Sequence, residues 1–242
     1  MGLKKSEGFF QCYRCFDVLA AFYAAILIVS NIASSAKIVD LGFSLFGVRL
    51  AFDGGTLLFP LAYVLGDIFT EVYGFKAARR VIWTGFGVLV FSSLVFFILR
   101  VLPGESSWET ATGAAAYNAI LGGMSTGGIV LASVAGYLAG EFFNSALHSK
   151  IKVQMKGRLL WFRTMASSLV GELLDSLIFV SIACLAGVFG WNLFLSLALT
   201  NYILKCCIEA LVLPVTYAAA RLLKKHEGID VYDEGIKYNP FG

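Results

Sequence analysis

Charge is scarce in this sequence: Asp, Glu, Lys and Arg make up 14% of its 242 residues, hydrophobic residues 58%, and the net charge is only +3. With a mean hydropathy of +0.78, that balance argues against an ordinary water-facing surface and makes lipid the expected solvent. The basic residues lie between apolar runs rather than along one stripe, so no nucleic-acid partner is expected. There are four prolines, and no Pro/Ser-rich linker or low-complexity run divides the chain, so residues 1–242 are read as a single membrane domain. No Gly-x-x-x-x-Gly-Lys-Ser/Thr loop is present, so any ATP would have to be used by a partner. No cleavable signal is expected, because the first apolar run reaches Ala36 without a small-residue cleavage site, and the first helix should be retained. The five cysteines, Cys12, Cys15, Cys184, Cys206 and Cys207, form an odd set. No second ligand pair completes Cys12-x-x-Cys15, so neither a metal nor another cofactor is expected. The remaining three fall in apolar spans, where cysteine acts as a small filler.

What the chain has is long apolar runs. Six can cross a bilayer core, which takes about 20 helical residues: 16–37, 56–75, 81–101, 120–143, 164–188 and 193–221. Between the first two, 39–53 is too short to span and carries Gly42 and Gly47, which suggests a hairpin or a shallow re-entrant loop. The expected fold is an all-α integral membrane protein of six transmembrane helices. Lys4, Lys5, Arg14, Lys76, Arg79, Arg80, Lys150, Lys152, Lys156, Arg158, Arg163, Arg221, Lys224, Lys225 and Lys237 fall on one side, and Lys37, Arg49 and Arg100 on the other. By the positive-inside rule both termini are cytoplasmic. Two groups of three helices would then run in opposite orientation, a 3+3 inverted layout common in transporters. The glycine-dense fourth span gives small-xxx-small faces at Gly123 to Gly127 and Gly136 to Gly140, read as packing seams. Ala20-x-x-x-Ala24 and Ala21-x-x-x-Ala25 read as another packing face, either within this chain or in a homodimer.

The chain is organised around the stretch that begins at Pro60, places Asp67 and Glu71 one helical turn apart, and reaches Gly74 as a C-terminal cap. Six ionisable side chains, Asp67, Glu71, Glu172, Asp175, Lys205 and Glu209, sit well inside apolar spans. Facing lipid, they would cost roughly 2.5 to 3.5 kcal/mol each, on the order of 15 to 20 in all, so they are expected to face inward. A purely structural role, with Lys205 pairing to Glu209, is the bland alternative. Against it, lysine preceding glutamate by four residues is the weaker helical order. Moreover, five acids against one lysine cannot all stay ionised in low dielectric. A proton-coupled or cation-binding cavity fits, with Glu71 and Glu172 the preferred proton carriers because glutamate has the higher reference pKa. Asn31 and Asn201 add amides able to bind a polar ligand or to join helices.

These residues resemble a known family. Asp67-x-x-x-Glu71-x-Tyr73-Gly74 followed by Ala78-Arg79, then Arg163-Thr164-x-x-Ser167 with Asp175, then Lys205 and Glu209 before Pro214, is similar to the pattern of queuosine precursor transporters, also catalogued as vitamin uptake transporters. The resemblance covers about residues 16–221. It implies a multi-pass bacterial inner-membrane importer, not an enzyme, that takes up 7-deazaguanine bases: 7-cyano- or 7-aminomethyl-7-deazaguanine, or queuine. Together with the inward-facing residues read above, the expected substrate site is Asn31, Asp67, Glu71, Glu172, Asp175, Asn201, Lys205 and Glu209, of which Asp67, Glu71, Asp175, Lys205 and Glu209 lie in the family pattern. Two other readings remain at this point. One is the substrate-binding membrane subunit of an ATP-driven uptake complex. The other is an intramembrane aspartyl protease using Asp67 and Asp175, against which stand the missing first glycine of Gly-x-Gly-Asp and the missing Pro-Ala-Leu.

Overall fold

The computed structural model describes residues 13–45 and 47–241; Lys4, Lys5 and Cys12 lie outside them, and with Cys12 the question of its pairing with Cys15. Five helical stretches among the described residues are long and apolar enough to cross a membrane: Phe16–Ala36, Phe75–Val101, Gly113–Gln154, Leu160–Leu185 and Trp191–Glu227. Their exposed surfaces carry large apolar side chains such as Phe22, Phe91, Phe97, Leu131 and Leu211, as lipid-facing helices require.

Helix α1 (Phe16–Ala36) leads into an antiparallel hairpin of β1 (Ile38–Leu45) and β2 (Val48–Asp53), in register from Ile38↔Asp53 to Leu45↔Val48 and irregular between Asp40 and Ser44. The fold is of the all-α membrane class with this one hairpin added, at the stretch where a hairpin or a re-entrant loop is expected. Leu50, Ala51 and Phe52 are all buried, so this end of β2 is covered on both faces, and β2 packs on the last helix.

The second expected span is not one α-helix. A 3-10 turn, Gly54–Leu57, precedes α2 (Phe59–Ile68), which passes into a single π turn, Phe69–Tyr73. Gly74 ends it at φ +83°, a conformation that a side chain would strain. All but two residues of 59–73 are buried, because α2 lies inside the bundle against α1 and the later helices Gly128–Gln154 and Phe194–Glu227. That position explains why a short element survives there: its apolar surface is covered by protein rather than by lipid.

Helix α3 (Phe75–Val101) is followed by the short α4 (Ser106–Ala111), α5 (Gly113–Ser125) and α6 (Gly128–Gln154). The fourth expected span, 120–143, is thus broken at Gly127, which takes φ +77°. It also continues well beyond residue 143, so much of the expected 144–163 loop is helix. α7 (Leu160–Leu185) lies against α6 so closely that a Cβ on Gly140 would come within 2.8 Å of the Gly171 carbonyl oxygen. The Gly136 to Gly140 seam is the contact face. α8 (Phe194–Glu227) runs through Pro214.

Three chain positions meet at one end of the bundle. The Glu227 carboxylate accepts from the Arg14 and Cys15 backbone N–H groups at 3.0 and 2.7 Å and from the Tyr73 hydroxyl at 3.1 Å. The C-terminal segment returns across this end. Asp233 there accepts from Phe75 N–H at 2.8 Å, capping the start of α3, and from Ser149 Oγ at 2.6 Å. Trp83 Nε1 donates to the Pro240 carbonyl at 2.8 Å.

Candidate functional site

Four helices turn a polar face into the same interior, because no such face can be left in hydrocarbon. α2 and its π turn bring Gly66, Asp67 and Glu71. α6 brings Glu141, Asn144, His148 and Lys152, spaced three or four apart and therefore on one side. α7 brings Arg163, Ser168, Glu172 and Asp175, and α8 brings Asn201, Lys205 and Glu209, each four apart. All are buried.

The column starts beside the hairpin. Asp53 accepts from Asn201 Nδ2 at 2.8 Å and from Gly55 N–H at 3.1 Å, and it is also bonded by the Ser34 hydroxyl. Thr56 Oγ1 lies 2.9 Å from Asp53 Oδ2 and 3.0 Å from Asn201 Oδ1. Deeper in, Lys205 Nζ binds Asp175 Oδ2 at 2.5 Å and stands 5.1 Å from the centre of the Phe59 ring. The partner of Lys205 is thus an acid on another helix and not Glu209, as the unfavourable order of the two along α8 suggests. Glu172 accepts from the Cys206 thiol at 2.9 Å, and its other oxygen has no donor. Glu209 has no donor on either oxygen, and the Glu172 carboxyl is beside it. Two carboxyls placed together in a dry interior must share a proton or a cation.

Asp67 accepts from Asn144 Nδ2 at 2.9 Å, with Ser168 Oγ at 3.5 Å and His148 Nδ1 at 3.5 Å. At the far end Glu71 faces a ring of cations. Arg163 Nη1 is 2.9 Å from Oε2, His148 Nε2 is 3.0 Å from Oε2, Lys152 Nζ is 3.8 Å from Oε1, and Lys224 pairs with Oε1. Lys152 directs shorter bonds to the Glu71 carbonyl at 2.6 Å, to Asp230 at 2.6 Å and to the Val231 carbonyl at 2.7 Å. Glu71 is thereby a fully compensated charge.

Two clefts bracket the column. One, of about 630 Å³, is lined by Ser34, Lys37, Asn118, Gly123 and Val188; the other, of about 210 Å³, by Glu71, Arg163, Tyr217 and Lys224. Ser34 bonds Asp53 at the first end, and Glu71 closes the second. The residues between them, Glu141, Glu172 and Glu209, have no solvent exposure, so this conformation is closed to both sides.

Of the residues proposed from sequence, Asp67, Glu71, Glu172, Asp175, Asn201, Lys205 and Glu209 stand along the column. Asn31 is buried in α1, where its amide donates to its own helix's Leu27 carbonyl at 2.9 Å. Sequence reasoning passed over Asp53, Glu141, Asn144 and His148. It also read Lys152 and Lys224 only as topology signals, and Arg163 only as a topology signal and a position in the family pattern. The stripe Glu141, Asn144, His148, Lys152 was available as a signal, but ending the span at residue 143 concealed it. The charge count changes accordingly. Setting aside Glu71 and adding Asp53 and Glu141 leaves six buried acids, Asp53, Asp67, Glu141, Glu172, Asp175 and Glu209, around Lys205. Among the described residues no group of three His, Cys, Asp or Glu is arranged to hold a metal ion.

The family model described as "Putative vitamin uptake transporter" matches residues 53–219, from Asp53 at one end of this column past Glu209. The chain belongs to that family. As a member of the vitamin uptake transporter family it is a multi-pass bacterial inner-membrane transporter, not an enzyme. It is 26% identical over 174 residues to the "Probable queuosine precursor transporter" of Bacillus subtilis (strain 168), covering 72% of this chain and 73% of that protein. It is also 26% identical over 164 residues to the "Queuosine precursor transporter" of Escherichia coli (strain K12), 68% of each chain. A third relative, the "Probable queuosine precursor transporter" of Haemophilus influenzae (strain ATCC 51907 / DSM 11121 / KW20 / Rd), is 25% identical over 130 residues, 53% of this chain and 50% of that protein. No solved structure matches.

Proposed function

We propose that this transporter imports queuosine precursors, 7-deazaguanine bases such as 7-cyano- or 7-aminomethyl-7-deazaguanine or queuine, by proton-coupled secondary transport. The observation that carries the reading is the set of donor-free carboxyl oxygens on Glu172 and Glu209 beside the Lys205–Asp175 pair, in a column with a cleft at each end. A guanine-like edge presents two adjacent N–H donors, which a carboxylate accepts in bidentate fashion, and a carbonyl that a lysine or amide can meet. The printed names of the relatives point to the same substrate class. An acidic surplus also suits the amine that some of these bases carry. Glu71, held by its cations, is poorly placed to exchange a proton, whereas Glu172 remains a candidate. The expected test is selective binding: purified protein should bind labelled 7-cyano-7-deazaguanine and prefer it to the adenine-like 7-deaza base by up to about 10⁴-fold. Equal competition by the two bases would refute the pairing scheme.

The same reading has six crossings with both termini cytoplasmic. Five long helices alone would leave the termini on opposite sides. Arg14 and Cys15 meet Glu227 at one end, which supports the composite segment 54–73 as a sixth crossing and keeps a 3+3 inverted arrangement open to test. In a background lacking the native cysteines, Thr112→Cys should label with an impermeant thiol reagent from outside and Lys156→Cys should not. Both positions are exposed. Strong outside labelling at position 156 would reverse the orientation.

A further inference from the structure

Glu141 and Asp53 are the acids of the column that neither sequence reasoning nor the substrate scheme uses, and of the two Glu141 is the one without hydrogen-bond partners, Asp53 being bonded by Asn201, Gly55, Thr56 and Ser34. Glu141 lies mid-way along α6, is wholly buried, and neither of its oxygens has a hydrogen-bond donor. The side chain presses on α2 at Gly66, where an added Cβ would stand 2.6 Å from Glu141 Oε2. Only a residue without a side chain leaves room for it there. The groups facing it are Tyr23 from α1, Tyr63 and Asp67 from α2, Tyr137 from α6 itself, and Glu172 and Asp175 from α7. None of these is a cation. The contrast with Glu71, one helical turn beyond Asp67 and ringed by Arg163, His148, Lys152 and Lys224, is one of environment rather than residue type. An ionised carboxylate at Glu141 would be a buried charge with no counter-ion and three acidic neighbours, a state that water must relieve. Tyr63 Oη, fully buried nearby, is likewise unpartnered, so a hydroxyl on the neutral acid has company there without charge.

We propose that Glu141 is the proton-binding gate of this transporter: it is protonated whenever the bundle is closed around α2, and it gives up its proton only when opening admits water to the α2–α6 contact. The proton is taken from, and given back to, the solvent on whichever side is open, so the loaded crossing inward and the empty return each carry one proton and Glu141 by itself moves none net across the membrane. The proposal rests on the transport reading but not on the base-pairing scheme, and it leaves the coupling proton of that reading to Glu172.

Glu141→Gln imitates the neutral acid in the same volume. Reconstituted in liposomes with labelled 7-cyano-7-deazaguanine as the probe, the wild type should exchange internal for external base more slowly as pH on both sides is raised from about 6 to about 8, because fewer molecules can close. Glu141→Gln should exchange at a rate that no longer changes with pH. If the wild type exchanges in a pH-dependent manner and Glu141→Gln is flat, while neither responds to a gradient, the gate stands and proton-coupled import fails. If Glu141→Gln keeps the wild-type pH dependence of exchange, the gate fails, and a gradient-driven accumulation seen in both proteins would then leave coupling standing without it. A monodisperse Glu141→Gln protein that cannot exchange at any pH overturns the proposal, since it would show that the ionised form is needed. Failure of both Glu141→Gln and Glu141→Met to fold also overturns it, because a site built for a neutral group should accept one.

Discussion

Lys205→Ala is expected to reduce uptake at least about 30-fold, because truncating one partner of a buried, hydrogen-bonded charge pair costs roughly 2 to 5 kcal/mol. The substitution removes the cation that holds Asp175 at 2.5 Å and leaves that acid beside Glu172 with nothing to balance it. Asp175→Asn should produce the same loss from the opposite side, leaving a buried ammonium against the Phe59 ring. Either single change also costs the fold, about 3 to 5 kcal/mol for breaking one member of a buried pair. The double variant Asp175→Asn/Lys205→Met separates the two effects: it leaves no orphan charge, so it should be as monodisperse as the wild type yet transport nothing. Normal uptake by that double variant would return the pair to a purely structural role.

The second large effect is expected at the opposite end of the column, and there it falls on stability. Glu71→Gln leaves Arg163, Lys152 and Lys224 without the carboxylate they converge on. With a buried charge network broken, about 3 to 5 kcal/mol is lost, which for a chain of this size lowers the melting temperature by about 10 °C. Asp230 bridges Lys152 and Lys224 at 2.6 and 2.9 Å and is more exposed, so Asp230→Asn should cost only a fraction of that. Thermal unfolding followed in detergent measures both. Equal melting temperatures for Glu71→Gln and the wild type would mean that the ring of cations is solvated after all and that Glu71 is free to act elsewhere.

The inward-facing acids were legible in the sequence because hydrocarbon makes each one conspicuous: Asp67, Glu71, Glu172, Asp175 and Glu209 interrupt apolar runs, and all five are buried. Their partners were not legible, because partners come from tertiary packing. Lys205 meets an acid thirty residues away rather than the one four residues on, since α7 faces it and the next turn of its own helix does not. Glu71 gathers cations from α6, α7 and α8 that looked like loop charges marking the cytoplasmic side. Hydropathy tells where lipid contact ends, and α6 continues as helix for eleven residues past 143, carrying His148 and Lys152 back over α2. The composite build of residues 54–73 was hidden for the converse reason. A segment wrapped by protein need not be a continuous α-helix, so the run 56–75 gave its location but not its 3-10 and π turns. The hairpin at 39–53 was one of two options that glycine spacing left open, and the burial of Leu50 and Phe52 in a strand packed on α8 decides it physically.

Uptake by the purified chain alone tests the account most directly. Liposomes containing this protein, no ATP and no second protein would be prepared with nothing inside to consume a 7-deazaguanine base, and with the interior about two pH units more alkaline than the outside. For one proton per base, accumulation should approach about 100-fold over equilibrium, each pH unit being worth tenfold, and a protonophore should return it to the equilibrium level. Uptake that is equal with and without the gradient would contradict proton coupling. No uptake at all by the monodisperse chain would contradict the transporter reading in favour of a capture subunit that needs an ATP-driven partner.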